Sequence, residues 1–495
     1  MLFNSYIFLF GFLPAALAIF YGLRRLGWRD ASVASLMVAS VAFYAYWRPG
    51  DTLILIATII LNYCVAKSMT GATARRSKLF LIIGICVNLG LLIYFKYFDF
   101  LADNLAALSG FEYAARHIVM PIGISFFTFT QLAYLVDCYQ TRTYEASFTT
   151  YALFVTIFPH LIAGPIIHHA QMRPQFARLR TEPVDAQLIT MGVVIFVVGF
   201  AKKVLLADNL VTGADLVFSG ADHGAHFNMA SAWVGTVAYS LQIYFDFSGY
   251  SDMAVGLALL FGLRIPVNFN SPYKSASIIE FWRRWHITLS TWLRDYIYIP
   301  LGGNRHGEFA RLRNVFVTFL LGGLWHGAGW TFVIWGALHG TYVVANHLMI
   351  KYSGEAPQPS GTFSLAAKRV IVMLMVMLAW VFFRATTVAG AASIIRSMFF
   401  LQPGMSVQGL GASAYFWIVL AAAIALFAPS TQQLTRYTAK LTEPCRLPGV
   451  SLLDSLRSGQ PTYAASPTVA LIGGVIFAGA LACIWRPAIF IYFNF

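Results

Sequence analysis

Phe281-Trp282-Arg283-Arg284-Trp285-His286 and, forty residues further on, Gly322-Gly323-Leu324-Trp325-His326-Gly327-Ala328-Gly329-Trp330 decide how this chain is to be read. The first histidine lies in a basic, amphipathic stretch. The second lies in the middle of an apolar run broken by glycines. An ionisable side chain inside a membrane span is costly, and its presence marks a functional position by default. Residues 268–330, which contain both histidines, are therefore the part for which the remaining chain supplies walls, floor and entrance.

The surrounding composition is that of a membrane protein. Of 495 residues, 58% are hydrophobic and only 11% are charged, and the mean hydropathy is +0.67. Apolar runs of about 17–25 residues, enough to cross a ~30 Å hydrocarbon core, recur along nearly the whole length. The 42 Phe, 24 Tyr and 12 Trp suit a lipid-facing exterior with interfacial aromatic belts. The net charge of +14 falls in clusters between apolar spans, the positive-inside pattern, so it does not point to nucleic acid. Cys64, Cys86, Cys138, Cys445 and Cys483 show no paired spacing and form neither a metal motif nor a disulfide framework. The fold class is an all-α polytopic membrane protein, one integral-membrane domain over residues 1–495, with roughly eleven to thirteen membrane segments when re-entrant ones are included.

Basic clusters set the expected topology. No Lys or Arg precedes Arg24, so the first apolar run lacks the charge order of a cleaved signal and stays as a span with its N-terminus outside. Spans are expected near 31–47, 50–66, 79–98 and 117–136, then 186–205, 229–249, 369–388, 412–430 and 467–489. The acidic loops near 99–112 and 206–228 fall outside, and the clusters at 24–29, 75–78, 283–313 and 436–457 fall inside. Residues 149–170 are flanked by arginines on both sides and broken by Pro159, Gly164 and Pro165, which reads as a re-entrant or kinked segment. His160, His168 and His169 in it read as cavity-lining or interfacial side chains rather than metal ligands. Lys202 and Lys203 are expected to snorkel to an interface. Asp246 and Asp252, in Tyr244–Asp252, need partners in their apolar setting; they either pack this segment against the histidine helix or shape the site.

The stretch from Ile278 is predicted as one interfacial helix ending at Pro300, Gly302 and Gly303. Ser277-Ile278-Ile279-Glu280 is a capping box at its start, and His286 stands at the edge of its apolar stripe. Residues 314–348 form either a hairpin or two spans that meet in a tight turn around His326. An imidazole among Gly, Leu and Trp favours the neutral form, which a general base requires. The alternative is that His326 only bonds a carbonyl of a neighbouring helix. The basic face with Arg283, Arg284 and Arg294 either holds a phosphorylated donor or is simply solvated among lipid headgroups. With no Ser-His-Asp, Walker or zinc signature in competition, the residues point to a metal-free group transferase in the membrane. A transporter is the rival, since broken helices and buried carboxylates suit it equally.

Three of these runs, Phe281–His286, Tyr298-Ile-Pro-Leu-Gly-Gly-Asn-Arg305 and Leu324-Trp-His-Gly-Ala-Gly-Trp330, closely resemble the membrane-bound O-acyltransferase (MBOAT) family, in its bacterial branch of alginate O-acetylation. Phe158–Ile166 and Tyr244–Asp252 are similar to that branch too, and the resemblance covers at least residues 120–385. It implies an MBOAT-like bundle with re-entrant and interfacial helices, in the bacterial inner membrane. His326 becomes the catalytic histidine, and His286 has an orienting or donor-contacting role. Trp282, Arg283, Arg284, Trp285, Trp325 and Asp246 become candidate donor or tunnel contacts. Acetyl-CoA is the implied co-substrate, with no bound cofactor or metal. Periplasmic partner proteins and an exopolysaccharide are the implied partners, alongside membrane lipids and without nucleic acid. D-alanyl transfer to cell-envelope polymers is a sister activity of the same family.

Overall fold

The computed structural model describes residues 1–353, 361–400, 404–406, 411–439, 467–484 and 490–491. Among these the architecture is helical, and the one β-type pairing is an isolated bridge between Phe227 and Met405. Five helices are long and apolar enough to cross a membrane: α1 (Ile7–Arg25), α3 (Pro49–Thr70), α4 (Ala74–Ser109), α9 (Ala186–Asp222) and α15 (Thr362–Arg384). The further segments expected from apolar runs correspond to shorter or more polar helices. Lys440, Arg446, Arg457 and Cys445 lie outside the described residues.

The chain clusters into two compact units, Met1–Phe200 with Tyr250–Val267 and Thr435–Gly479, and Ala201–Gly249 with Asn268–Leu434 and Ala480–Phe495. In the first unit, α2 (Arg29–Ala45), α3, α4 and α5 (Ile124–Thr141) pack as neighbours. Their interior holds a polar lock. Asn62 Nδ2 donates to Gln131 Oε1 at 2.8 Å, Asn88 Nδ2 to Asn62 Oδ1 at 2.7 Å, and Gln131 Nε2 to Thr58 Oγ1 at 3.1 Å. In an apolar matrix such amides must be satisfied by one another. The outer surface of α4 presents Ile82, Ile83, Leu101, Leu105 and Leu108, as a lipid-facing helix should.

The kinked segment is present as expected. It comprises α6 (Phe148–Thr156), α7 (Phe158–Leu161) and α8 (His169–Thr181), broken at Ile157 ahead of Pro159. His160 donates to the Phe154 carbonyl at 3.1 Å, and His169 meets the Glu145 carboxylate at 3.2 Å. Both histidines thus have structural partners within the unit.

Three sequence expectations are corrected here. The two acidic loops are mainly helical, because α4 continues to Ser109 and α9 continues through a π-helical turn (Lys202–Ala207) to Asp222. The span expected over 229–249 is α10 (Met229–Leu260), so the Tyr244–Asp252 motif lies inside a helix rather than at its end. Lys203 does not snorkel. It is 3% exposed and sits between Asp208 and Asp246, each at 2.7 Å, while Asp246 also accepts the Ile491 N–H at 2.7 Å. The π turn supplies the extra residue that re-aims this side chain inward, where two carboxylates balance it.

In the second unit, α11 (Ile278–Arg284), α12 (Ile287–Leu293), α13 (Gly307–His326), α14 (Trp330–Tyr352) and α15 enclose the histidines. Helices α13 and α14 form an antiparallel hairpin through Gly327-Ala328-Gly329. A Cβ added at Gly323 would stand 2.4 Å from the Phe332 carbonyl oxygen, and one at Gly336 would stand 2.6 Å from that of Phe319. Only glycine lets the two backbones meet this closely, the small-residue packing that drives association where lipid removes the hydrophobic effect. Further helices are α16 (Val388–Phe399), α17 (Ala412–Phe427), α18 (Thr431–Thr435) and, in the first unit for most of its length, α19 (Pro467–Ala482).

The Lys203 cluster gives a stability test. Lys203→Met leaves two buried carboxylates facing each other, and the expected loss is about 3–5 kcal/mol, the scale for breaking a buried ion pair. Thermal unfolding in detergent should show it, and adding Asp246→Asn should recover much of the loss. A single variant that melts like the native protein would mean that the cluster contributes nothing.

Candidate active site

The helix expected from Ile278 to the stop at Pro300 is broken at Trp285–His286. Its start is as the sequence implies: Ser277 Oγ accepts the Glu280 N–H at 3.1 Å, although the Glu280 carboxylate returns to Ala276 N–H at 2.8 Å rather than to the cap residue itself. At Trp285 the backbone turns extended, and His286 takes a left-handed conformation with φ 41° and ψ 54°. For a residue with a Cβ this costs roughly 1–2 kcal/mol, so something must hold it. The segment before α11 does so. Asn270 N–H donates to the Arg284 carbonyl and Ile287 N–H to the Asn268 carbonyl, both at 3.0 Å, and Thr288 Oγ1 donates to Asn268 Oδ1 at 2.6 Å. Strain maintained by surrounding structure is a recurrent mark of functional positions.

The break moves His286 from the edge of an amphipathic stripe to full burial. Its ring stands edge-on to Phe247 at 4.7 Å and contacts Trp325 at 6.2 Å. Burial pushes its imidazole down to about 3, so it is neutral at pH 7. His326 is the last residue of α13 and 3% exposed. Three rings surround it near-perpendicularly: Trp325 at 4.9 Å, Trp335 at 5.0 Å and Phe383 at 5.1 Å. Trp325 thus touches both histidines, and the structure brings together His286, Trp325 and His326 as one aromatic cluster.

The other sequence candidates fall elsewhere. Trp285 is core, stacked on Phe281 at 5.6 Å and close to Trp380 at 4.8 Å. Trp282 donates its indole N–H to His339 Nδ1 at 3.2 Å, one layer away from His326. Arg284 pairs with Glu280 at 2.7 Å and Arg294 with Asp295 at 2.7 Å. Asp246 is committed to Lys203 and Ile491 N–H rather than to the histidine cluster. Arg283 is exposed, and with Arg311 it brings positive charge to His347.

Sequence reasoning passed over Trp335 and His339. Both are completely buried on α14, with rings 4.8 Å apart, and Trp335 lies directly against His326. The signal was available: His339 is a second ionisable side chain inside an apolar run, four residues after a tryptophan on the same helical face. Arg311, His347 and Lys351 were also missed as a group. With Asn304, Glu308 and Ile350 they line a cavity of about 510 Å³ where α13 begins and α14 ends. Among the described residues, no group of three or more His, Cys, Asp or Glu side chains is arranged to hold a metal ion.

Comparison with known proteins identifies the family of the chain. Residues 124–389 match the model of the membrane-bound O-acyltransferase family. The peptidoglycan O-acetyltransferase of Helicobacter pylori is 40% identical over 441 residues, covering 84% of this chain and 82% of that protein. The probable alginate O-acetylase AlgI of Pseudomonas aeruginosa is 43% identical over 406 residues, covering 81% and 75%. The teichoic acid D-alanyltransferase of Streptococcus thermophilus is 26% identical over 287 residues, covering 53% and 68%. The chain is a multi-pass membrane enzyme, an O-acyltransferase belonging to the membrane-bound O-acyltransferase family.

Proposed function

We propose that this enzyme transfers acetyl from acetyl-CoA, on the cytoplasmic side of a bacterial inner membrane, to a hydroxyl that arrives from the periplasmic side, for O-acetylation of an exported or cell-envelope polysaccharide. The observation that carries this reading is the buried His326 at the junction of two glycine-packed helices, in a chain 40–43% identical to named O-acetyltransferases. Those relatives are named for peptidoglycan and for alginate at similar identity, so the acceptor is defined here by its chemistry, a polysaccharide hydroxyl. D-alanyl transfer has weaker support, at 26% identity over about half the chain. Among the described residues no soluble domain that could grip a polymer is formed, and in this reading periplasmic partner proteins supply that function.

In the proposed reaction His326 accepts the proton of the acceptor hydroxyl as its oxygen attacks the thioester carbonyl. The C–S bond then breaks, and the departing thiolate receives the proton. His286, neutral and held by the Asn268 segment, orients rather than exchanges protons. The nucleotide end of the donor suits the cavity at the other end of the hairpin, where Arg311 and Lys351 flank Glu308 and Arg283 adds charge. From Arg311 to His326 helix α13 rises about 22 Å at 1.5 Å per residue, a span suited to an extended thioester arm.

Three outcomes test this reading. His326→Ala should insert and purify normally yet lose at least about 10²-fold in acetyl transfer, the lower end of what a positioned base provides. It is measured as free thiol released from acetyl-CoA with a polysaccharide acceptor, and near-native turnover would refute the assignment. His286→Asn should retain more activity than His286→Ala, since Asn tolerates the left-handed backbone and offers a hydrogen bond but no base near pH 7. Equal loss in two folded variants would instead give His286 a role in proton transfer. Arg311→Gln should raise KM for acetyl-CoA roughly tenfold, about 1.4 kcal/mol, with kcat little changed. KM for acetyl-pantetheine, which lacks the nucleotide, should be unaffected, and an equal rise for both donors would remove Arg311 from nucleotide binding.

A further inference from the structure

His339 has one role that the structure makes explicit and one that follows from it. The indole N–H of Trp282 can only donate, so His339 Nδ1, 3.2 Å away, must accept. The imidazole is therefore neutral, with its proton on Nε2. Among the described residues that Nε2 has no hydrogen-bond partner, and neither does the indole Nε1 of Trp335, although His339 is 0% and Trp335 1% exposed. A buried donor left unpaired costs about 1–3 kcal/mol. Here two occur four residues apart on one face of α14, on rings in contact at 4.8 Å, and the tryptophan also lies against His326 at 5.0 Å. Neither nitrogen can accept a hydrogen bond. Whatever satisfies them brings lone pairs, and it does so beside the catalytic imidazole.

We infer that Trp335 Nε1–H and His339 Nε2–H are catalytic donors to the acyl oxygen. They would receive the thioester carbonyl of the bound donor and hold the oxyanion that forms when the hydroxyl adds to it. The inference rests on the acetyl-transfer reading above. Its chemistry is that of a fixed oxyanion site: the electron pair displaced from the C=O bond resides on that oxygen until the C–S bond breaks, and no proton moves to it. The Trp282 bond fixes the imidazole tautomer and ring angle, so Trp282 acts as a positioning residue. Rigid N–H groups in a water-excluded site are worth more than in water because no reorganisation is needed as charge develops. Phe383, 5.1 Å from His326 and 5.3 Å from Trp335, closes the apolar wall around that point.

A matched pair of substitutions separates the two faces of His339. Asn places an amide near Nδ1, so His339→Asn keeps an acceptor for Trp282 and loses the Nε2 donor. Gln reaches the Nε2 position, so His339→Gln keeps the donor and loses the acceptor. Kinetics use the full-length protein in detergent with acetyl-CoA and a polysaccharide acceptor, normalised to folded protein by thermal unfolding. Trp335→Phe and His339→Asn should each lose roughly 10²-fold in kcat, the scale for one oxyanion donor, with KM for acetyl-CoA within about threefold. His339→Gln should stay within about tenfold of native. A His339→Asn variant at least as active as His339→Gln, or native kcat in Trp335→Phe, would overturn the inference and leave these residues as packing. His326→Ala run in parallel distinguishes the two levels, because an active His326→Ala overturns the proposed function itself.

Discussion

Two helices of the second unit cross where there is no room for a methyl group, and the arrangement of the histidine cluster depends on that approach. Gly323 and Gly336 put the backbones of α13 and α14 in contact, so the side chains on either side of the contact are forced into fixed places. His326 ends one helix, Trp335 stands one residue before the contact glycine of the other, and their rings meet at 5.0 Å. In a membrane, where lipid tails are as apolar as leucine, close packing rather than the hydrophobic effect fixes such pairs. A looser crossing would widen the space around His326 and loosen its contact with Trp335.

The same apolar setting determines how polar groups are handled. Lys203 is neutralised by two carboxylates, and the Asn62–Asn88–Gln131 lock satisfies itself internally. His160 and His169 have a carbonyl and a carboxylate. Against that background the histidine cluster stands out. His286 and His326 are walled by aromatic rings, and His339 has one nitrogen bonded and one buried donor facing no protein acceptor among the described residues. A desolvated donor without an internal partner is expensive to keep, and the ones on Trp335 and His339 lie on two rings in contact, one of them against His326.

Much of this was legible in the sequence for identifiable reasons. Apolar runs of bilayer length mark spans whatever their partners, and an ionisable residue within one is conspicuous, so the burial of His326 and the cap at Ser277 could be read directly. The break at His286 could not, since Ile278 to Tyr296 has an unbroken helical period. The left-handed turn is imposed by Asn268 and Asn270, residues that lie beyond the helix. Lys203 was misread because its partner Asp246 is distant in the chain, and only the π turn aims it inward. Arg284 and Arg294 looked available for a donor because helical spacing does not reveal that Glu280 and Asp295 neutralise them. His339 was overlooked because a histidine one turn from a tryptophan reads as core until its hydrogen bond is seen.

The antiparallel hairpin also sets the electrostatics of the proposed chemistry. Helix α13 begins at the cavity of Arg311 and ends at His326, so the positive end of its dipole faces the site proposed for the nucleotide's negative charge. Its negative end meets the imidazole that becomes cationic when the hydroxyl proton is taken. Helix α14 runs the other way: it starts beside His326, and the donors Trp335 and His339 follow within its first three turns. The tetrahedral step creates a cation and an anion at once, the imidazolium and the oxyanion. The turn between the helices offers the carboxyl end of α13 to the imidazolium, whereas the oxyanion, held one to three turns into α14, depends on the two ring N–H donors rather than on a helix end. Such an end contributes about 0.3–1 kcal/mol where exposed and up to ~2 kcal/mol where partly buried. In the proposed chemistry one glycine-packed turn thus presents a helix end to the cationic half of the transition state, while Trp335 and His339 on the facing helix take the anionic half.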